Sequence, residues 1–157
     1  MDGGKRSEGF TLVEVLVSVL VLGIGVLGLA GLQRVGISAG YSALQRSQAS
    51  WLAGEMADLL RANPEAARSG TYDTSFADVA GGCPRPTGST RAQLDLNQWQ
   101  ADVCETLGGT GSGSVQVIRS GNLYSALIAV RWNDRRARDR LGVTGDAEET
   151  FAYRAGF

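Results

Sequence analysis

The chain has 157 residues, a formal net charge of −1 and no histidine. That balance creates no global field pointing to nucleic acid or to an anionic membrane surface. The missing imidazole removes the commonest general base and metal ligand, and with it most hydrolase triads and zinc sites.

A hydrophilic start holding Lys5 and Arg6 runs into Gly9-Phe10-Thr11-Leu12-Val13-Glu14, and from Val15 to Leu32 the chain is one apolar and small-residue run. As a helix that run rises roughly 27 Å, about the thickness of a bilayer core. Glu14 stands just inside its start, where a carboxylate costs on the order of 2–3 kcal/mol and therefore calls for a function. A plain secretory signal or signal anchor has the same charged start and apolar core, and Gly28-Leu29-Ala30 has the small-residue form of a cleavage site. Glu14 inside the apolar region, and no polar stretch before Ala30, argue against that reading. No cysteine stands at the end of the run to take a lipid.

The hexapeptide Gly9 to Glu14 with its leader and span resembles the class III signal of type IV pilins and type II secretion pseudopilins. The resemblance implies that a prepilin peptidase cuts between Gly9 and Phe10 and methylates the new amino terminus at Phe10. It also implies that Glu14 pairs with the terminal amine of a neighbouring subunit. Two opposite charges in a low-dielectric helical core offset each other's desolvation, whereas either alone is a large penalty. Three segments follow: a leader over 1–9, a membrane-spanning assembly half of a helix over 10–32, and a periplasmic head over 33–157. The amino terminus is then cytoplasmic, in a single pass of the inner membrane, and the chain enters the pilus after assembly. Charge alone supports that orientation only through Lys5 and Arg6.

The helical reading continues past Leu32. No proline interrupts 33–61, and Tyr41, Leu44, Gln48, Leu52, Met56 and Leu59 recur at threes and fours, leaving Arg34, Gln45, Arg46, Glu55 and Arg61 to other faces. One helix is expected from about Phe10 to Ala62, ended by Asn63-Pro64. Gly23, Gly25, Gly28, Gly31, Gly36 and Gly40 each cost about 1 kcal/mol within it. Small residues permit close helix packing, and as a cluster they also ease local unwinding.

Glu65 to Thr90 is rich in Gly, Ser, Thr, Ala and Pro and reads as a long loop. Thr90 and Gln93 form a capping-box pattern, after which Leu96, Trp99, Val103 and Leu107 mark one face of a helix closing at Gly108. Cys83 lies in the loop and Cys104 on that helix. Beyond the span both cysteines are in an oxidising compartment, where a disulfide is the default and two unpaired buried thiols are the alternative. Closing a loop of about twenty residues contributes around 3 kcal/mol in the chain-entropy model.

Gly108 to Gly113 reads as a flexible joint. Val115 to Ile118 and Leu123 to Trp132 are strands flanking the hairpin signal Ser120-Gly121-Asn122, with Tyr124, Ala126, Ile128, Val130 and Trp132 on one face. A charged loop holds Asn133 to Arg140, and Glu149 to Phe157 is a third strand with Phe151, Tyr153 and Phe157 alternating. The expected fold class is α+β: a long amino-terminal helix, membrane-spanning in its first half, with a small antiparallel sheet packed on its second half, as in type IV pilins.

The stretches Leu44 to Ala49, Arg61 to Pro64, Asp95 to Trp99 and Val130 to Asn133 are similar to the type IV pilus modification proteins, the PilV-type minor pilins. Major pilins bracket their last strands with a disulfide, whereas both cysteines here precede the sheet, which argues against a bulk fibre subunit. The resemblance implies a minor pilin of the complex that initiates or tips the pilus. Its partners would be other minor pilins, the major pilin, the inner-membrane assembly platform and a tip adhesin, with the prepilin peptidase as processing enzyme. A minor pseudopilin of type II secretion is the near alternative. A DNA-uptake pilin is the third, on the arginines between Arg131 and Arg140, although no aromatics interleave them. No nucleophile and base or metal-ligand set can be assembled, so neither enzyme chemistry nor a cofactor is expected. Asp73 and Asp78 could meet calcium but lack EF-hand spacing.

Overall fold

The computed structural model describes residues 9–135, 138, 139, 142, 144 and 147–157. In chain order its elements are α1 (Leu12–Ala62), α2 (Pro64–Arg68), α3 (Arg91–Thr106), β1 (Ser112–Ser120), β2 (Leu123–Asn133) and β3 (Glu148–Gly156). The class is α+β, a long apolar helix with a three-stranded antiparallel sheet in the order β1-β2-β3. The chain divides into two compact units, one ending at Ile37 and one running from Ser38 to Phe157.

The first unit is the apolar part of α1. Its large side chains from Leu12 to Leu32 are all exposed, and the leader over 1–8 lies outside the described residues. The helix is held together by its own backbone, which lets a single segment satisfy its N–H and C=O groups in hydrocarbon without a partner.

In the second unit the rest of α1 buries Ser38, Gln45, Ala49, Leu52, Ala53, Met56, Ala57 and Leu60. The expected stripe shares only Leu52 and Met56 with this face. Leu44 is 53% exposed, while Gln45, assigned to an outer face, is 3% exposed. Ala49, Ala53 and Ala57 are fully buried, so this face of the helix meets the large core side chains with its small residues. Around them the core gathers Tyr72, Trp99, Val103, Leu107, Val115, Ile128, Val130 and Trp132. Each large side chain so buried contributes about 1.5–3 kcal/mol relative to exposure.

Asn63 leaves the helical region at φ −134°, ψ 68°, as a residue before proline does. Pro64 then opens α2, because its fixed φ and missing N–H suit a first helical position. The stretch after α1 is thus not wholly irregular. Thr74 also bridges to Val115 in antiparallel fashion. Thr90 Oγ1 accepts from the Gln93 amide at 3.3 Å, and Gln93 Oε1 accepts from the Ser89 amide at 3.0 Å, so the capping box closes one residue further back than its simplest form.

The expected flexible joint is in fact packed, since β1 begins at Ser112. A β-carbon on Gly111 would lie 2.2 Å from the Val103 carbonyl oxygen, and one on Gly113 would lie 2.2 Å from the Trp99 ring. These glycines are demanded by the approach of α3. Gly121 has φ 61° in the two-residue turn between Ser120 and Leu123, which glycine adopts without strain. Ala126, Ile128, Val130 and Trp132 are buried on one face of β2, as the alternation predicts, with Tyr124 half-buried. In β3 only Ala155 is fully buried on that face, and Phe151 packs at its margin.

Candidate functional site: the amino-terminal helix

Glu14 heads the apolar run of α1. Thr11 starts the helix: its carbonyl accepts from the Val15 amide at 3.3 Å and its Oγ1 from the Glu14 amide at 3.2 Å. Thr-x-x-Glu is a capping pattern, so this role is legible in the sequence. Ser18 Oγ donates to the Glu14 carbonyl at 2.7 Å, which keeps that hydroxyl satisfied within the helix. Phe10 precedes the helix and is 82% exposed.

The helix is long and apolar enough to cross a membrane, and its apolar stretch is not buried among the described residues. Within it the Glu14 side chain is exposed, and among the described residues its carboxylate bonds to no cation. Gly9 and Phe10 therefore lie just ahead of the helix and Glu14 in its first turn, at the head of the apolar run.

Residues 4–30 match the family model of the prokaryotic N-terminal methylation motif. The chain carries a prepilin-type segment. That segment implies processing by a prepilin peptidase, and it supports a pilin-like or pseudopilin-like protein. No curated protein and no solved structure matches the chain.

Away from the prepilin-type segment, Cys83 and Cys104 form a disulfide with S–S 2.05 Å and Cα atoms 5.5 Å apart, tying the segment before α3 to that helix. Asn97 Nδ2 donates to the Thr87 carbonyl and fastens the same segment a second time. The arginine-rich stretch is engaged with acids and aromatics. Arg131 lies 3.4 Å from Glu148 and stacks 4.4 Å over the Phe76 ring, and Arg138 lies 3.6 Å from Glu149. Arg136 and Arg140 lie outside the described residues. Asp73 Oδ1 accepts from the Val117 amide at 2.7 Å and Asp78 Oδ1 from the Ala80 amide at 2.9 Å, so each carboxylate serves the backbone. Among the described residues no group of acidic or cysteine side chains is placed to hold a metal.

Proposed function

We propose that this chain is a minor type IV pilin of the PilV type, cut between Gly9 and Phe10, methylated at Phe10, and inserted into the pilus initiation or tip complex. The observation that carries the reading is Glu14: a carboxylate at the head of an exposed apolar helix, to which no cation bonds among the described residues. Four residues after Phe10, it stands where the freed terminal amine of an adjoining subunit would offset its desolvation. The inner-membrane anchor, the periplasmic head and the partners (minor and major pilins, the assembly platform and a tip adhesin) follow from that role. Support for a minor rather than a bulk subunit comes from the disulfide, whose cysteines both precede β1.

Mass spectrometry of the mature protein recovered from membranes tests the processing: N-methylphenylalanine at Phe10 is expected, and Met1 intact or a cut beyond Ala30 would remove the basis of the reading. Glu14→Ala should leave membrane levels unchanged and deplete the protein from sheared pili. A deletion strain separates the two homes of such segments, since loss of twitching motility goes with a pilus and loss of exoprotein export with a type II secretion system.

A further inference from the structure

On the face of α1 turned away from the core, small and large residues alternate at heptad spacing: Gly40, Leu44, Ser47, Trp51 and Gly54, all within the second unit. At 3.6 residues per turn this line runs opposite Ala49, Ala53 and Met56, which face inward. Leu44 is exposed, and Trp51 is 71% exposed. Beside the indole runs a groove of about 680 Å³, lined by Ser50, Gly54, Glu55 and Asp58 of the same helix. A β-carbon on Gly40 or Gly54 would meet nothing within 4 Å, and Ser47 Oγ donates to the Ala43 carbonyl at 3.1 Å, so its hydroxyl needs no water. Large apolar side chains aligned on the surface of a head mark an interaction face.

In a parallel pair of helices each knob of one enters a hole of four residues on the other: the one at its own level, those one and four before it, and the one three after it. For Leu44 these are Gly40, Ala43, Leu44 and Ser47; for Trp51 they are Ser47, Ser50, Trp51 and Gly54. All but the knob's own counterpart are small, so a second copy of this same face supplies the space both knobs need. The charges agree. Asp58 and Arg61 continue the face and pair at 2.8 Å within one chain. The same rule puts Arg61 of the second copy in the hole that receives Asp58, so two carboxylates meet two guanidiniums across the contact. Run antiparallel, with Leu44 over Gly54 and Trp51 over Ser47, the helices would set Asp58 against Gly40 and lose that exchange.

We infer that this face of α1 is the seam of a parallel homodimer, packed in register against the same face of a second copy of this chain. Each copy's sheet and α3 pack on the opposite side of its own helix, clear of the seam. The contact closes on itself about a two-fold axis, so it makes a pair and not a fibre. It lies wholly within the second unit and is independent of how the amino terminus is processed.

The test is thiol cross-linking of the full chain in membranes of producing cells, with a short bismaleimide that leaves the Cys83–Cys104 disulfide unreacted. Gly40→Cys and Gly54→Cys should each give a cross-linked dimer of this chain, whereas the antiparallel arrangement would hold the two Gly54 positions roughly 15 Å apart along the helix. Arg46→Cys, exposed but off the seam, should give none. By mass in mild detergent the unsubstituted chain should be a dimer, and Trp51→Glu should weaken it about 30-fold, as loss of a central aromatic anchor does. Gly54→Leu adds apolar surface yet fills the hole, so it should also give monomer, and it serves if the tryptophan variant fails to fold. A monomeric unsubstituted chain, no cross-link at Gly54→Cys, cross-linking as strong at Arg46→Cys, tighter association of Gly54→Leu, or a different protein on the cross-linked face would each overturn the inference.

Discussion

The indole of Trp99 occupies the space that a side chain on Gly113 would need. Trp99 cannot easily yield, because its Nε1 donates to the Leu52 carbonyl at 2.8 Å within the core. Gln100 clamps the same glycine, donating to its carbonyl at 2.8 Å and accepting from its amide at 3.3 Å. One turn of α3 thereby fixes where β1 begins.

Gly113→Ala should therefore destabilise the head, by about 1–3 kcal/mol as an overpacked core site. Gly81→Ala is the control, since a β-carbon there meets nothing within 4 Å. Urea midpoints of the two variants should diverge; equal midpoints would show that α3 and β1 are more loosely joined than the contact implies.

Replacing Cys83 and Cys104 together by serine should lower stability by about 2–4 kcal/mol, the usual yield of closing such a loop. The bridge spans a sequence separation of 21 and joins a segment with little regular structure to a buried helix position. Limited proteolysis should accordingly move into 75–90 in the variant before any site in α3 is cut. Cleavage beginning in α3 would mean that the loop holds itself in place.

What could be read from residues alone was whatever a single element decides by its own chemistry. Thr90, Gln93 and Gly121 act locally, so the cap and the hairpin turn were legible. The end of α1 at Asn63-Pro64 was legible too, but proline is also a good first helical residue, and α2 went unread for that reason. The inward face of α1 is not legible from hydrophobicity, because Leu44 outweighs Ala49 on any scale, while small residues are what face the large core side chains of the rest of the second unit. Gly111 and Gly113 suffered the same way: glycine marks both flexibility and close approach, and only the neighbour distinguishes them. The amino-terminal motif was legible because its chemistry, a charge in an apolar run, needs no tertiary context.

Ser42 Oγ donates to Asp134 Oδ2 at 2.6 Å, and Asp134 is 5% exposed, its Oδ1 meeting no donor among the described residues. Ser42→Ala should cost about 1–3 kcal/mol, the penalty of leaving a buried acceptor unmade. Adding Asp134→Asn should recover part of that loss, because a neutral amide is cheaper to leave buried than a carboxylate. Additive losses in the double variant, read from thermal unfolding, would show that the two side chains do not act as a pair.

Glu55 sets a pH dependence on the exposed side of α1. Partial desolvation at the helix surface, and then the nearby Asp102 carboxylate, hold its carboxyl above the ordinary value of 4.5. The folded state thus binds this proton more tightly than the unfolded chain does. Folding is favoured by protonation, so this group's contribution is most favourable below 4.5 and is lost as pH rises through the elevated folded value. At pH 7 the ionised group is a liability, and Glu55→Gln should raise the melting temperature there. The gain should stay under about 1 kcal/mol, since the side chain is exposed and solvent screens it. On acidification the two proteins should converge, and below the unfolded carboxylate range they should melt together. Asp102→Asn should act in the same direction by removing the like charge. A Glu55→Gln protein that melts lower at pH 7, or a difference that grows as pH falls, would contradict this assignment and point to an unseen cation holding Glu55 ionised.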